Sequence, residues 1–118
     1  MGAHLERVDD GSLSALLSGD SAVLVLAKSD CGSCAEYEEV IEQLLAQRPA
    51  LQQLRWGHLV LDAPGSRQFK VANPWLRDVD VLPHTVLYRA GAIIDRFSAS
   101  TKWILLERLK QHDLIPSG

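Results

Sequence analysis

Two cysteines, Cys31 and Cys34, are the residues whose types and spacing most directly suggest chemistry. They are the only cysteines among the 118 residues, and they form the stretch Cys-Gly-Ser-Cys with an acid immediately before it at Asp30. The spacing suits a redox-active dithiol, two ligands of a metal site, a short structural disulfide, or two inert cysteines that face a core. The elements around the pair must favour one of these uses.

The pair falls where a predicted strand gives way to a predicted helix. Residues 22 to 27 form a continuous apolar run with β-branched members, which is typical of a strand covered on both faces. Apolar side chains after the pair recur at three- and four-residue steps; they are Cys34, Tyr37, Ile41, Leu44 and Leu45. They predict a long amphipathic helix that ends near Arg48. Because the first turn of a helix favours an anion, we expect Cys31 to be an exposed nucleophile and Cys34 a more buried resolving thiol.

A short disulfide, a metal site and inert core cysteines stay open as alternatives. A disulfide that closes so small a loop removes little entropy from the unfolded chain, and cytosolic chains rarely depend on one. A structural zinc ion normally needs four ligands, so a metal site would need a cluster shared between two chains. The histidines show no paired ligand spacing; they are His4, His58, His84 and His112. We therefore expect a redox pair and no metal.

Length and composition predict one domain over residues 1–118. With 47% hydrophobic residues, a chain of this size has about what one compact core requires. The net charge of −3 gives no reason to expect binding to nucleic acid or to an anionic membrane. The N-terminus lacks a basic segment followed by an apolar one, and no apolar run is long enough to span a bilayer. We expect a soluble, cytoplasmic protein.

The remaining sequence predicts strands that alternate with helices. A short strand around residues 5 to 8 precedes a short helix with an N-cap at Ser12 and a C-cap at Gly19. Residues 55 to 63 predict a third strand, and Pro74 interrupts the helical segment that follows.

A hairpin and a last helix complete the chain. Two strand-like runs joined at Ala90 and Gly91 predict the hairpin, and Ser100 is the candidate N-cap of the helix. The side chains predicted to be buried by this helix are Trp103, Leu106 and Leu109, with Ile104 and Leu105 widening the stripe. The order is β-α-β-α-β-α-β-β-α, an α/β domain with a mixed sheet.

This sequence resembles the thioredoxin family. The resemblance covers nearly the whole chain and is carried by the element order, by Cys-Gly-Ser-Cys at the start of the second helix, by Asp62 at the end of the third strand, and by the stretch VDVLPHTVLYRAGAIIDRF. It implies the thioredoxin fold, in which a central mixed β-sheet is flanked by helices, and a cis peptide between Leu82 and Pro83. It also implies thiol–disulfide exchange, with Cys31 as the nucleophile and Cys34 resolving the mixed disulfide.

The same resemblance implies the partners and the surface that would bind them. The substrates would be protein disulfides, the electron donor would be a reductase or a small thiol, and no cofactor would be needed beyond the redox-active disulfide. The family's peptide-binding surface maps onto Gly32, Ser33, Val81, Leu82, Pro83, Ser98 and Ala99. Trp75 would flank that surface.

Four positions depart from the family's usual pattern. The usual Trp before the first cysteine is Asp30, the usual Pro between the cysteines is Ser33, the usual Lys after the second is Ala35, and the usual buried Asp beneath the site is Val25. The charge of Asp30, with further acids in the next helical turns, disfavours the Cys31 thiolate. We therefore expect Cys31 to be less acidic than in strongly oxidising family members, with Lys28 offsetting part of this effect.

Without the buried carboxylate, Cys34 needs another acceptor for its proton. Glu38, Asp30 and water are the candidates. His84, directly after Pro83, is a candidate local base, although a strand histidine with a satisfied hydrogen bond is the more ordinary interpretation.

Two functions from different classes fit these features. The first is a thiol–disulfide oxidoreductase that reduces protein disulfides and contributes to cell redox homeostasis. The alternative is a binding or chaperone-type module with weak redox turnover, which the absent Trp, Pro and Asp favour. The rate at which the chain reduces a protein disulfide separates the two.

Overall fold

The strand predicted at residues 22 to 27 lies at the centre of a five-stranded mixed sheet. The computed structural model describes residues 3–98 and 101–116. The strands are β1 (Glu6–Arg7), β2 (Ser21–Ala27), β3 (Arg55–Val60), β4 (His84–Arg89) and β5 (Ala92–Ser98). In space they follow the order β1-β3-β2-β4-β5, with the first three parallel and with β4 and β5 antiparallel to their neighbours.

Four α-helices connect or follow the strands. They are α1 (Leu13–Leu17), α2 (Gly32–Gln47), α3 (Arg67–Ala72) and α4 (Lys102–Gln111). Two short 3₁₀ segments, Pro49–Gln53 and Pro74–Asp78, each begin with a proline, whose missing N–H is not needed at a helix start. The predicted order β-α-β-α-β-α-β-β-α is confirmed, as is the mixed sheet flanked by helices.

β2 is buried on both faces because hydrophobic clusters cover both sides of the sheet. Val23 and Val25 point into the cluster built with α2 and α4, and Leu24 and Leu26 point into the cluster built with α1 and α3. Alternation of side chains along a strand produces this division. The continuous apolar run in the sequence is the signature of such a strand.

The prediction for the closing helix was partly wrong. Leu105, Leu106 and Leu109 are buried as expected, but Trp103 keeps 66% and Ile104 40% of their surface in water. The three leucines define the stripe that faces the sheet, and Trp103 lies about 110° around the helix from its centre. The Trp103 ring instead packs under the Lys102 ammonium, 4.8 Å from the ring centre. The predicted cap, Ser100, lies outside the described residues, and Thr101 occupies the N-cap position.

Two smaller predictions also needed correction. The first strand is shorter than predicted, and the C-cap of α1 is Ser18 rather than Gly19. Ser18 ends the helix with an ordinary negative φ of −75°, so the end of α1 does not need a left-handed glycine. Within residues 3–98 and 101–116, no helix is long and apolar enough to cross a membrane.

Candidate redox site

The two cysteines lie at the start of α2, directly after the central strand and its short loop. Cys31 is the N-cap residue with extended backbone, and its Sγ accepts a hydrogen bond from the Cys34 backbone N–H at 3.2 Å. The two residues are joined as a disulfide with their Cα atoms 5.2 Å apart. Cys34 is only 1% exposed, whereas Cys31 is partly exposed. Only Cys31 can therefore meet a large substrate without opening the helix.

The helix start favours negative charge on the Cys31 sulfur. α2 has sixteen residues, and its N-terminal turn contributes an N–H that already points at this atom. A helix N-terminus carries partial positive charge, which stabilises a thiolate relative to a thiol. Cys31, the more exposed of the two cysteines, is thus also the one whose thiolate the helix start stabilises.

The loop before Cys31 is held by Asp62, which follows β3. Its carboxylate accepts hydrogen bonds from the Ser29 backbone N–H at 2.9 Å and from the Ser29 hydroxyl at 2.6 Å. The hydroxyl bond, followed by the backbone bond, lowers the pKa of Asp62, and the charge of Lys28 contributes to the same shift. The positive charge predicted to offset Asp30 therefore also acts on Asp62.

Asp30 has the left-handed backbone conformation, with φ of +52°. Asp tolerates this region better than most residues, because its short polar side chain can interact locally with the backbone. Its side chain is exposed, and so are the predicted acidic neighbours Glu36 and Glu39 on α2. Water therefore screens the unfavourable effect of these acids on a Cys31 thiolate.

The loop that ends in Pro83 lies beside the cysteines. The Leu82–Pro83 peptide bond is cis, and Pro83 is buried. Ser33, between the two cysteines, donates its hydroxyl hydrogen to the Leu82 carbonyl oxygen at 3.3 Å, and its Oγ also lies 3.6 Å from Cys31 Sγ. One serine therefore connects the cysteine pair to the loop.

Ser98 connects the same loop to the end of β5. Its hydroxyl donates a hydrogen bond to the Val81 carbonyl oxygen at 2.9 Å. These contacts connect six of the seven residues predicted for the peptide surface into one segment of the molecule next to Cys31, and Ala99 lies outside the described residues. Those six are Gly32, Ser33, Val81, Leu82, Pro83 and Ser98.

His84 is a buried part of this network and makes no hydrogen bond to either cysteine among the described residues. It is 5% exposed, and its Nδ1 lies 2.7 Å from Ser98 Oγ. Because Ser98 gives its only hydrogen to Val81, His84 must donate from Nδ1, which leaves Nε2 buried without a partner. Burial, and secondly the charge of Arg96, lowers the pKa of His84. A neutral, supporting histidine therefore fits the geometry better than a general base.

A second histidine, His58, lies against Glu38, at a place that the sequence did not single out. His58 Nδ1 on β3 lies 3.0 Å from the Glu38 carboxylate on α2, without the alignment of a hydrogen bond. His58 pairs in register with Val25, the position where the carboxylate of the resembling family is absent. Its signal in the sequence is weak, because only the strand register brings His58 to that position.

Tyr37 links α2 to β4, the strand that follows the cis peptide. Its hydroxyl shares a hydrogen bond of 3.0 Å with the Thr85 hydroxyl on β4, and both residues are fully buried. Burial raises the pKa of Tyr37 to about 12, despite the opposing effect of the Thr85 bond. This contact holds the start of α2 and the loop before β4 in one arrangement.

A groove of about 630 Å³ adjoins this site at Leu82. Its lining is mainly apolar and includes the two cationic residues Lys70 and Arg77. Trp75 lies nearby but is only half-buried, with its ring between His84 and the Arg96 guanidinium. The predicted flanking role of Trp75 stays a prediction.

Solved structures of similar fold include several thioredoxins. The chain aligns with thioredoxin f from spinach chloroplast at 14% identity and a TM-score of 0.77, covering 95% of this chain and 96% of that one. It aligns with thioredoxin f2 in a complex with ferredoxin:thioredoxin reductase at 13% identity and a TM-score of 0.77, covering 95% and 97%. Fasciola hepatica thioredoxin gives 20% identity and a TM-score of 0.71, covering 92% and 99%.

These likenesses establish the fold. No protein-family model matches the sequence, and a comparison with curated proteins found no match. The expected fold class is confirmed, because the chain has the thioredoxin fold with a Cys-x-x-Cys pair at the start of its second helix.

Proposed function

We propose that this chain is a thiol–disulfide oxidoreductase that reduces protein disulfides through Cys31 and Cys34. The observation that carries the proposal is the position of Cys31, whose partly exposed sulfur caps α2 and accepts the Cys34 N–H beside the cis peptide. A structural staple would not need this exposure. The thioredoxin fold and the buried partner sulfur support the same chemistry.

The proposed cycle moves two electrons and needs no metal or cofactor. The Cys31 thiolate attacks one sulfur of a substrate disulfide, whose other sulfur leaves as a thiolate, so that a mixed disulfide forms. Cys34 loses its proton and attacks Cys31, which releases the second substrate thiolate and closes the internal disulfide. A dithiol or two small thiols then reduce that disulfide and become oxidised themselves.

For the proton of Cys34 we propose Glu38 as the acceptor, in contact with His58. Residues four apart on a helix share a face, so Glu38 lies one turn beyond Cys34 on the same side of α2. His58 lies 3.0 Å from Glu38 and can share the proton. This pair would replace the carboxylate that Val25 does not supply.

Substrate proteins would bind across the surface around Pro83, and the recycling donor would use the same surface. Thioredoxin f2, which has a similar fold, forms a complex with ferredoxin:thioredoxin reductase. By that analogy we propose a reductase or a small thiol as the donor. We also propose that the chain works as a single domain in the cytoplasm, where it contributes to redox homeostasis.

The proposal is tested by the reduction of insulin disulfides with dithiothreitol as the electron source. The wild-type chain should accelerate the reaction well above dithiothreitol alone, and Cys31→Ser should return it to that background. Cys34→Ser should accumulate mixed disulfides with insulin, because the resolving step is blocked. Wild-type activity at background would overturn the proposal.

A binding module with weak turnover is the second candidate. It is favoured by Asp30, Ser33 and Val25, which replace residues that the resembling family uses at its redox site. In that case insulin reduction stays near background, while a peptide binds at the Pro83 loop equally well in wild type and Cys31→Ser. The two assays together separate the candidates.

A further inference from the structure

Two consecutive carbonyl groups of the loop before Pro83 are covered by serine hydroxyls. The Val81 oxygen accepts from Ser98 at 2.9 Å, and the Leu82 oxygen accepts from Ser33 at 3.3 Å. An extended peptide that binds to an exposed backbone segment pairs with such carbonyls. In the disulfide state of this chain, both carbonyls already have a donor.

Ser98 and Ser33 differ in the acceptors that their hydroxyl hydrogens can reach. Ser98 Oγ also accepts from His84 Nδ1 at 2.7 Å, so its hydroxyl hydrogen is directed at Val81. Ser33 has no such second donor in the described contacts, and its Oγ lies 3.6 Å from the Cys31 sulfur. A small rotation of the Ser33 hydroxyl would redirect its hydrogen from the loop to the sulfur.

We propose that Ser33 is a positioning residue that changes its hydrogen-bond acceptor with the redox state of Cys31. In the disulfide state it donates to the Leu82 carbonyl. In the reduced state it donates to the Cys31 thiolate and leaves the Leu82 carbonyl free to pair with a substrate strand. The inference rests on the proposed oxidoreductase function. Ser33 would link nucleophilic attack by the Cys31 thiolate to the binding of the substrate strand.

The strengths of the two acceptors explain the change. A hydroxyl has one hydrogen to donate, and a disulfide sulfur is a weak acceptor, so a carbonyl wins in the oxidised state. A thiolate is an anion, and hydrogen bonds to ionised acceptors are about twice as strong as neutral ones. Reduction therefore draws the hydroxyl to Cys31. Oxidation returns it to Leu82, where it competes with the bound product.

Ser33→Ala tests this inference, with Ser98→Ala as the matched control. Each variant removes one serine hydroxyl from one loop carbonyl, but only Ser33 lies near the sulfur. Neither substitution adds or removes a charged or titratable group; those around the site are Lys28, Asp30, Glu36, Glu38, His58, Asp62 and His84. Ser98→Ala also removes the acceptor of the His84 Nδ1 hydrogen, so the control covers the loss of a loop contact together with the loss of that histidine bond. Any difference between the variants in Cys31 ionisation therefore reports on the Ser33 hydroxyl.

The first measurement is the pH dependence of Cys31 alkylation in a Cys34→Ser background. Ser33→Ala should slow alkylation about tenfold below the midpoint, which corresponds to a midpoint higher by about one pH unit. Ser33→Thr, which keeps a hydroxyl, should restore most of the rate, and Ser98→Ala should leave the midpoint in place. An unchanged midpoint in Ser33→Ala, or an equal shift in both alanine variants, would overturn the inference.

The second measurement is the binding of an insulin B-chain peptide whose cysteines are replaced by serine. Wild type should bind it several-fold more tightly when reduced than when oxidised, and Ser33→Ala should lose this difference by gaining affinity in the oxidised state. A redox difference that survives in Ser33→Ala would contradict the inference. Neither measurement needs turnover, so inactive wild type in the insulin assay would refute the proposed function without deciding the role of Ser33.

Discussion

The candidate redox site and the cluster around Asp95 differ in how completely their polar groups are paired. Arg108 on α4 donates to both Asp95 oxygens on β5, at 2.9 and 2.8 Å, and His112 Nε2 lies 3.0 Å from one of them. The Arg108 guanidinium also lies 4.8 Å above the Phe97 ring. Both Asp95 oxygens have partners there, and the cluster ties α4 to the edge of the sheet.

At the redox site, polar groups outnumber the hydrogens available to them. Ser33 has one hydrogen for two acceptors, and His84 Nε2 is buried without a partner. A saturated cluster has one arrangement and stabilises the fold, whereas an unsaturated one has alternatives of similar energy. Unmet hydrogen-bond contacts therefore distinguish the candidate redox site from the structural cluster.

The largest expected effect that tests this contrast is the loss of the Asp95 carboxylate. Asp95→Ala should lower the free energy of unfolding by about 1–2 kcal/mol, because Arg108 and His112 lose their shared acceptor. Arg108 keeps about a third of its side chain in water, 35%, and this limits the loss. Urea denaturation measures the change, with the exposed Glu107→Ala as the control. The rate of insulin reduction should be unaffected. If Asp95→Ala also slowed insulin reduction, the Asp95 cluster would not be purely structural.

Acid should remove the same contribution from the wild type. Burial alone would raise the pKa of Asp95. The hydrogen bonds from Arg108 and His112, together with the charge of Arg108, outweigh burial, so the pKa of Asp95 is lower than its ordinary value. The contribution is therefore complete above the ordinary carboxyl value near pH 4 and is lost as the pH falls through the lower folded value. The stability difference between wild type and Asp95→Asn should shrink as the pH falls below about 4. A constant difference over this range would argue against the ion pair.

Glu38→Gln should slow the resolving step about tenfold, because the amide cannot accept the proton of Cys34. Quenched-flow measurement of the mixed disulfide gives this rate. Glu39→Gln, on the exposed side of α2, is the matched control and should leave the rate unchanged. If both variants resolve at the wild-type rate, water rather than the Glu38–His58 pair accepts the proton.

A smaller effect is expected for Asp30→Asn, which should lower the pKa of Cys31 and speed its alkylation at neutral pH by about threefold at low salt. The gain should fade as salt is added, since Asp30 is exposed. Asn keeps the left-handed backbone at φ +52°, whereas the Asp30→Trp change suggested by the resembling family would add strain. Slower alkylation in Asp30→Asn would show that the Asp30 charge does not oppose the thiolate.

The smallest effect is expected at Trp103. Trp103→Ser should change the free energy of unfolding by less than about 1 kcal/mol, because 66% of Trp103 is already exposed to water and its ring meets the Lys102 ammonium at the surface. The buried Trp56 donates to the Leu51 carbonyl at 2.8 Å, and Trp56→Phe should cost more than Trp103→Ser, because a buried acceptor then loses its donor. Thermal unfolding compares the two. A larger loss at Trp103 would mean that its exposed ring has a structural partner after all.

The sequence was sufficient for features that depend on local periodicity. The buried central strand, the long helix after the cysteines and the hairpin at Ala90 and Gly91 follow from hydrophobic spacing and turn residues, and the structure confirms them. The side of α4 that faces the sheet was not predictable, because the helix has two more apolar residues than that side accommodates. Several sides of the helix therefore look equally apolar in the sequence. Trp103 and Ile104 were assigned to the wrong one.

Contacts between distant residues explain what the sequence missed at the site. Glu38 meets His58 only because β2 and β3 are paired in one register, and Ser33 meets Leu82 only because the cis-peptide loop lies against α2. No spacing along the chain encodes either meeting. The cysteine pair itself needed no such information, since strand, cap and helix are adjacent in sequence.

The burial of Cys34 at 1% exposure determines how many labels the reduced chain accepts. A bulky thiol reagent reaches Cys31 in the folded protein, but Cys34 becomes accessible only when the first turn of α2 separates from the sheet. One label per molecule therefore indicates that the first turn of α2 is closed, and the rate at which a second label appears measures how often that turn opens. Labelling of Cys34 would therefore report local unfolding at the place proposed for substrate docking.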